Sequence, residues 1–421
     1  MIKMSKSSMP ITTCQICDSD QLDSVIFLGF HPPVNDFVEI GSTAVEQAAF
    51  PLELFRCGHC TLVQIGNDVE PALLFPPDYP YLSGTTTLLR ENFKELERDA
   101  TKRLKLAEGD LIIDFGSNDG TLLENFKNSG YRVLGIEPSK ASDVANAKGI
   151  ETLMRFFGED AARDIREHYG AAKVLTAANV FAHIRDVHQV VRGVKTVLDV
   201  GGVFISENHY FPSLVATSQY DTIYHEHLRY YTVKSLQHLF AMHQMEIFHV
   251  NKIPTHGGSI RVYAAREGER EVCDSVGKIL QEEDNGGFSS GGALMSFNSQ
   301  VIQSKLQLMA LLATLKKNGA RIYGIGAPSR AATLINYCAL DDQIIDCIVE
   351  ISSSKKINKY MPGTRIPVVD ENKILEEQPD YALFLSWHLQ DELTQKLRQK
   401  GFRGKFISPL PTPKVMTDVV L

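Results

Sequence analysis

The chain has 421 residues, more than a single hydrophobic core usually supports, so two or three domains are expected. With 43% hydrophobic and 22% charged residues it is not a disordered or fibrous chain, and a formal net charge of -8 argues against a broad phosphate-binding face for nucleic acid. No stretch approaches the roughly 20 apolar residues of a membrane span. The opening MIKMSKSSMPITTC has no apolar leader core, and a cytoplasmic protein without membrane or nucleic-acid partners is the expectation.

Residues 1–75 carry two CxxC pairs, Cys14 with Cys17 and Cys57 with Cys60, set in CQICDSD and CGHC among short β-like runs. Two such turns can grip one tetrahedral zinc ion, and four thiolates leave no open position, so a structural zinc is expected rather than a catalytic one. The remaining cysteines, Cys273, Cys338 and Cys347, are scattered and form no disulfide ladder.

Over residues 76–250, TTTLLRENFKELERDATKRLKLAEG has a helical period and leads into LIIDFGSNDGTLLENFKNSGYRVLGIEPS, which reads strand, glycine turn, helix, strand. KVLTAANV, DVHQVVRGVKTVLDVGG and GVFISENHY continue the alternation as strand, helix and strand, predicting a doubly wound sheet. The turn Asp114 to Gly120 is not G-x-G-x-x-G, and Asp119 at the helix N-terminus would repel a pyrophosphate. S-adenosylmethionine carries no phosphate and has a cationic sulfonium. Gly116 and Gly120 permit close approach of the backbone to such a ligand, and Glu137, about 20 residues on, is placed to accept from ribose hydroxyls. His183 falls at the end of a predicted strand, where ligands of open α/β sheets bind.

Residues 251–421 hold a Gly/Ser-rich stretch, a long helical pattern, and a second α/β unit opened by RIYGIGAPSRAATLINYC. In THGGSIR, His256 and Arg261 flank glycines, and Arg261 either pairs with an anion or is a solvated strand residue. Gly324, Gly326 and Arg330 open a helix where a diphosphate can rest, unless the glycines serve packing alone.

Taken in order, the four cysteines, YPYLSG, IDFGSNDGTLL, VLGIEPS, ANVFAHIRD, YDTIYHEHLRYYT, THGGSIRV, GIGAPSRAATLINY and KYMPGTRIPV resemble the S-adenosylmethionine-dependent C-methyltransferases of nucleotide-linked 4-keto-6-deoxy sugars. The resemblance covers nearly the whole chain. It implies an α/β protein in which a Rossmann-like class I methyltransferase domain is flanked by a zinc-binding N-terminal domain and a C-terminal α/β domain that helps hold the sugar nucleotide. It implies His227 as general base, with Glu226, Tyr224 and His183 beside it. Tyr81, Ser83, Asp114, Asn118 and Asn179 join Gly116, Gly120 and Glu137 around the methyl donor. Tyr79, His256, Arg261, Arg330 and Lys356 face the substrate, and Asn358 stands where the family has glycine. A monomer or weak homo-oligomer is expected.

The chemistry asks for such a set. A saturated carbon has no lone pair for a sulfonium methyl, but removing the proton beside a ketone gives an enolate carbon that can attack. The enzyme then supplies a base and a stabiliser for the enolate oxygen. Histidine, neutral and basic near its ordinary pKa of about 6.5, suits the first task. An extended YHEH would put His225 and His227 on one face and Tyr224 and Glu226 on the other, whereas a turn would regroup them. Three rival readings stay open: a His225–Glu226–His227 metal site, an NAD(P)-dependent oxidoreductase, and an inactive zinc-containing sugar-nucleotide-binding protein.

Overall fold

A computed structural model describes residues 7–43, 46–75 and 83–417. Its centre is a seven-stranded sheet built from β1 (Leu111–Phe115), β2 (Arg132–Ile136), β3 (Thr152–Leu153), β4 (Ala172–Ala178), β5 (Leu198–His209), β6 (Met245–Ile253) and β7 (Ser259–Arg266). The spatial order is β3-β2-β1-β4-β5-β7-β6. β7 runs antiparallel to both neighbours, and the pairs on the β3 to β5 side are parallel. This is the arrangement of a Rossmann-like class I methyltransferase. All five residues of β1, LIIDF, are buried, as a strand covered on both faces requires. One cover is the helix Thr87–Leu104, which buries Leu89, Phe93, Leu96, Ala100 and Leu104 at helical spacing.

The sheet extends further along the chain than periodicity alone indicates. β6 and β7 carry it to Arg266, so the expected boundary at 250/251 cuts through a strand, and residues 251–266 pair with the methyltransferase sheet. Strand partners so distant in sequence leave no trace in local alternation.

The N-terminal segment does not stand apart. Leu22–His31 pairs antiparallel with Phe50–Cys57, which pairs with Val63–Ile65, and Arg229–Tyr230 completes that sheet from the methyltransferase segment. Val38–Glu39 adds an edge strand to the C-terminal sheet through Lys359–Tyr360. One face of the N-terminal sheet shares a core with Phe297, Ile322 and Ile348, while Cys14, Ile16, Cys57, Cys60 and Leu62 pack with Phe181, Leu236 and Phe240. The module therefore clamps both larger units.

In the C-terminal sheet, Ile322–Ile325 lies between Tyr381–Phe384 and Cys347–Glu350, all parallel. The chain winds outward from Ile322–Ile325 in both directions, so a crevice opens at its carboxyl end, beside Gly326–Arg330 and Trp387–His388. Among the described residues no helix is long and apolar enough to cross a membrane.

Candidate active site and metal centre

Each CxxC forms a tight turn whose backbone N–H groups donate to cysteine sulfur: Ile16 to Cys14 at 3.4 Å, His59 to Cys57 at 3.3 Å and Cys60 to Cys57 at 3.5 Å. The turns face each other, with Sγ–Sγ separations of 3.4 Å between Cys14 and Cys60 and 3.5 Å between Cys17 and Cys57. A tetrahedral zinc with bonds of about 2.3 Å needs sulfurs about 3.8 Å apart. The four cysteines thus fit a zinc ion after a shift of a few tenths of an ångström. Cys14, Cys57 and Cys60 are buried, which leaves Cys17 as the partly exposed edge of the set.

At the carboxyl end of β1, Gly116 turns with φ 66°, and a Cβ there would lie 2.6 Å from the Val180 side chain. Gly120 has φ 76° and caps the next helix. Asn118, also left-handed at φ 50°, accepts from the Ser83 N–H at 2.9 Å, and Asp119 accepts from the Gly84 N–H at 3.2 Å. The expected loop residue Ser83 is thereby pinned to the turn; Tyr79 and Tyr81 lie outside the described residues. Glu137 accepts from Asn118 N at 3.0 Å and Ser139 N at 2.9 Å, rigidifying the turn from below. Asp114 faces inward onto Thr176 Oγ1 at 2.6 Å, and burial, reinforced by Glu137 and Glu207, pushes its pKa up to about 8. Asp119 is joined by Lys148 at 3.3 Å, so part of the charge expected to repel a pyrophosphate is already matched.

A cationic ligand fits this surface. Buried carboxyl groups crowd the turn, and Ser117 Oγ and Asn179 Oδ1 are buried with no hydrogen-bond partner among the described residues. Asn179 itself takes φ 59° at the end of β4, across the β1/β4 switch point from Gly116.

YHEH is a turn. His227 N donates to Tyr224 O at 3.0 Å, which brings the Tyr224 and His227 rings to 4.1 Å between centroids. His225 and Glu226 leave in other directions: the His225 ring meets Pro51 O at 3.2 Å, and Glu226 accepts from Asn35 at 2.8 Å. The three side chains of the supposed His225–Glu226–His227 metal set therefore diverge, and they form no ligand group among the described residues.

His227 Nδ1 lies 2.9 Å from Thr222 O. A carbonyl only accepts, so Nδ1 carries the proton and Nε2 keeps its lone pair. Burial drives the His227 pKa well below 6.5, with His183 adding to the effect. His183 stands 4.9 Å from His227 by ring centroids, its pKa lowered to about 4 by burial and its Nδ1 without a partner among the described residues. Leu228 N donates to Ala182 O at 3.0 Å, and the buried Arg229 donates to Ile184 O and Arg185 O, so the two histidine loops are sewn together.

On the other side His209 lies 5.2 Å from His227 and 5.2 Å from His256. His256 is a non-glycine residue at φ 55°, its Nε2 buried and without a partner among the described residues, and its pKa lowered to about 4 by burial. Four imidazoles, His227 buried and the other three half-buried, thus form a continuous row. Next to it Gly257, at φ 85°, lets Gln219 approach: Gln219 Nε2 donates to Gly257 O at 2.7 Å, and a Cβ on Gly257 would sit 2.6 Å from that side chain.

The arginines correct the sequence reading. Arg261, expected to meet a substrate anion, is fully buried and bonded to Glu207 at 2.7 Å, Glu95 at 2.8 Å and Asn92. Strand pairing of β7 with β5 sets it opposite Glu207, so its anion comes from within the fold. Arg330 lines the C-terminal crevice, but Asp221 holds it through two bonds of 2.7 and 2.8 Å, and Trp387 Nε1 donates to the same carboxylate at 2.8 Å. Its charge is matched, which removes the reason for placing a phosphate on it. Gly324 serves packing: a Cβ there would strike Ile348 and Leu385. Lys356 Nζ donates to Ala327 O at 2.6 Å, and burial lowers its pKa against the pull of Glu350 and Glu226. Asn358 takes φ 66°, a conformation that asparagine tolerates next best to glycine.

Sequence reasoning missed His209, Gln219, Asp221, Asn35 and Trp387. His209 had a signal, since it ends the strand GVFISENHY at the ligand-binding edge of the sheet; the others are brought in by tertiary packing alone.

Three family models match this chain in succession: a zinc binding domain over residues 14–75, a methyltransferase domain over 88–250 and a C-methyltransferase C-terminal domain over 254–411. The chain is 32% identical over 413 residues to the C-methyltransferase NovU of Streptomyces niveus, covering 97% of both chains. Among solved structures it shows a low-scoring likeness to the magnesium protoporphyrin IX methyltransferase of Synechocystis with bound SAM (12% identity, 42% of this chain, 79% of that one, TM-score 0.32). A second such likeness is to protein PH0226 of Pyrococcus horikoshii (14% identity, 47% and 98%, TM-score 0.35).

Proposed function

The chain belongs to the family of S-adenosylmethionine-dependent C-methyltransferases, and we propose that its substrate is a nucleotide-diphospho-4-keto-6-deoxyhexose, methylated at C3 beside the ketone. One observation carries this reading above the others: a buried imidazole, His227, whose Nδ1 is held by a carbonyl so that the lone pair stays on Nε2. A transferase acting on oxygen or nitrogen has less need of it, because those atoms offer lone pairs of their own. S-adenosylmethionine supplies the electrophilic methyl group when bound.

The chain's own residues do the rest. Gly116, Asn118, Gly120, Glu137, Asn179 and Ser83 cradle the donor, with Asp114 beneath them. His227 removes the proton from the carbon next to the ketone, and the packed Tyr224 ring fixes its orientation. His183 stays neutral beside His227; the Glu226 backbone accepts from its ring N–H, so the open Nδ1 keeps a lone pair and stands as a second proton acceptor rather than a donor to the enolate oxygen. Glu226, Asn35 and Lys356 line the side toward the C-terminal crevice, where the nucleotide lies. Four thiolates holding zinc suit the reducing cytoplasm.

The test is hydrogen exchange. With S-adenosylhomocysteine bound, the wild-type protein should wash deuterium from D2O into the carbon beside the ketone of a nucleotide 4-keto sugar, above the spontaneous rate, and His227→Asn should not. The variant should also lose about 10²- to 10⁴-fold in kcat, the usual worth of a general base. Exchange by the variant at the wild-type rate would pass the role to another group.

A further inference from the structure

Outside the reaction site, a second set of metal-ligand atoms stands at the rim of the four-cysteine centre. His59 projects from the second CxxC turn, His238 from the helix Val233–Ala241, and Cys17 from the first turn. Their ligand atoms all lie within 4.8 Å of one another, and the two imidazole rings meet edge to face at 5.2 Å. Neither imidazole makes an intramolecular hydrogen bond among the described residues. They open onto a surface cavity of about 290 Å³ that is also lined by Lys234 and Gln237. The ammonium of Lys234 is engaged by Asp284 at 3.3 Å and Ser289 at 2.9 Å, so it does not fill the space with free charge.

The geometry points to an outer site for a divalent transition metal, built from His59, His238 and the Cys17 thiolate, through which zinc reaches the inner four-cysteine centre. Two imidazoles and a thiolate are the donor set that zinc and cobalt favour. A tetrahedral ion needs ligand atoms about 3.3–3.5 Å apart at ordinary zinc bond lengths. The exposed His59 ring can close that gap by turning about its side-chain bonds, and water supplies the fourth ligand. A thiolate sulfur keeps lone pairs after binding one metal, so Cys17 can serve both sites. Cys60 lines the same cavity as the two imidazoles, whereas Cys14 and Cys57 are buried and do not, so an ion entering from the cavity reaches the imidazoles, Cys17 and Cys60 before the other two cysteines. The transfer is a ligand exchange: water leaves the incoming ion, thiol protons pass to solvent, and no electrons move.

This inference rests on the four-cysteine assignment, and its test separates the two. Protein carrying one equivalent of zinc is titrated with Co²⁺ alone, while retained zinc is measured by mass spectrometry. The wild type should take up one cobalt with thiolate-to-cobalt charge-transfer absorption and keep its zinc. His59→Ala and His238→Gln should keep the zinc and bind cobalt at least tenfold more weakly. Isotopically labelled zinc should replace the resident ion at least fivefold more slowly in the double variant. No second equivalent in the wild type, cobalt entering only as zinc leaves, undiminished cobalt binding in the variants, or an unchanged exchange rate each overturns the proposal. A protein that never holds the first zinc instead overturns the four-cysteine assignment.

Discussion

At His227, burial and one hydrogen bond act together on reactivity. Removing the imidazole from water disfavours its charged form, and the bond from Nδ1 to Thr222 O leaves the lone pair on Nε2. The sign of the pH dependence follows. With its pKa held well below 6.5, His227 stays unprotonated as pH falls through 6.5, so if it is the proposed base the acid limb of single-turnover methylation should lie below that value. An acid limb at or above pH 6.5 would show an imidazole open to solvent, and the buried-base account would fail. His225, two residues away, offers a contrast. Its ring is tied to Pro51 O and packs on Phe50, which makes it a strut between the YHEH turn and the N-terminal module.

The donor turn, one scale up, works as a clasp. Residues 83 and 84 precede the helix Thr87–Leu104 and are fastened by their N–H groups to Asn118 and Asp119, in the turn proposed to hold the donor. Asn118→Gly keeps the left-handed backbone but deletes the acceptor for Ser83. Donor binding should weaken about 2- to 12-fold, the worth of one neutral hydrogen bond at about 0.5–1.5 kcal/mol. Calorimetry with S-adenosylhomocysteine reads this directly, and an unchanged Kd would show that the 83–84 segment contributes nothing to the donor site.

For the whole molecule, the N-terminal module is the clamp, and the zinc site sits at its joint. The cysteine turns share a core with the methyltransferase domain, while the strands beside them share one with the C-terminal domain. Chelating the zinc, or replacing Cys57 by Ser, should therefore lower the thermal midpoint of all three units together rather than melt a small domain alone. Calorimetry showing an early, separate low-enthalpy transition would contradict this. Acid should also unfold the protein early. His183, His225 and His256 titrate near 4 when folded, against about 6.5 unfolded. Between those values the unfolded chain binds more protons, so stability is lost as pH falls, by about 1.4 kcal/mol per pH unit for each histidine. Denaturant midpoints measured at pH 7 and pH 5 check this; equal midpoints would mean that these rings are hydrated.

The four-cysteine cluster and the glycine turn at the sheet edge were legible in the sequence because each is local. A CxxC closes its own turn, and a strand, a glycine turn and a helix bring Gly116, Asn118 and Gly120 to one sheet edge within a dozen residues. His227 and His183 were legible only through the ordered set of motifs. What YHEH does in space was decided by tertiary structure: the turn that joins Tyr224 to His227 also sends Glu226 to Asn35, 191 residues away in the chain. Arg261 shows the same limit from the other side. An arginine after two glycines suits a ligand equally well in sequence, but the register of β7 against β5 buries it opposite Glu207, and a buried guanidinium is held by the carboxylate the fold brings to it. Sequence determined which chemical groups this protein owns and the local turns that present them. Long-range strand pairing and the packing of three modules decided which of those groups face a substrate and which neutralise each other, because charge and hydrogen-bond partners in a buried site are settled by neighbours that are close in space and distant along the chain.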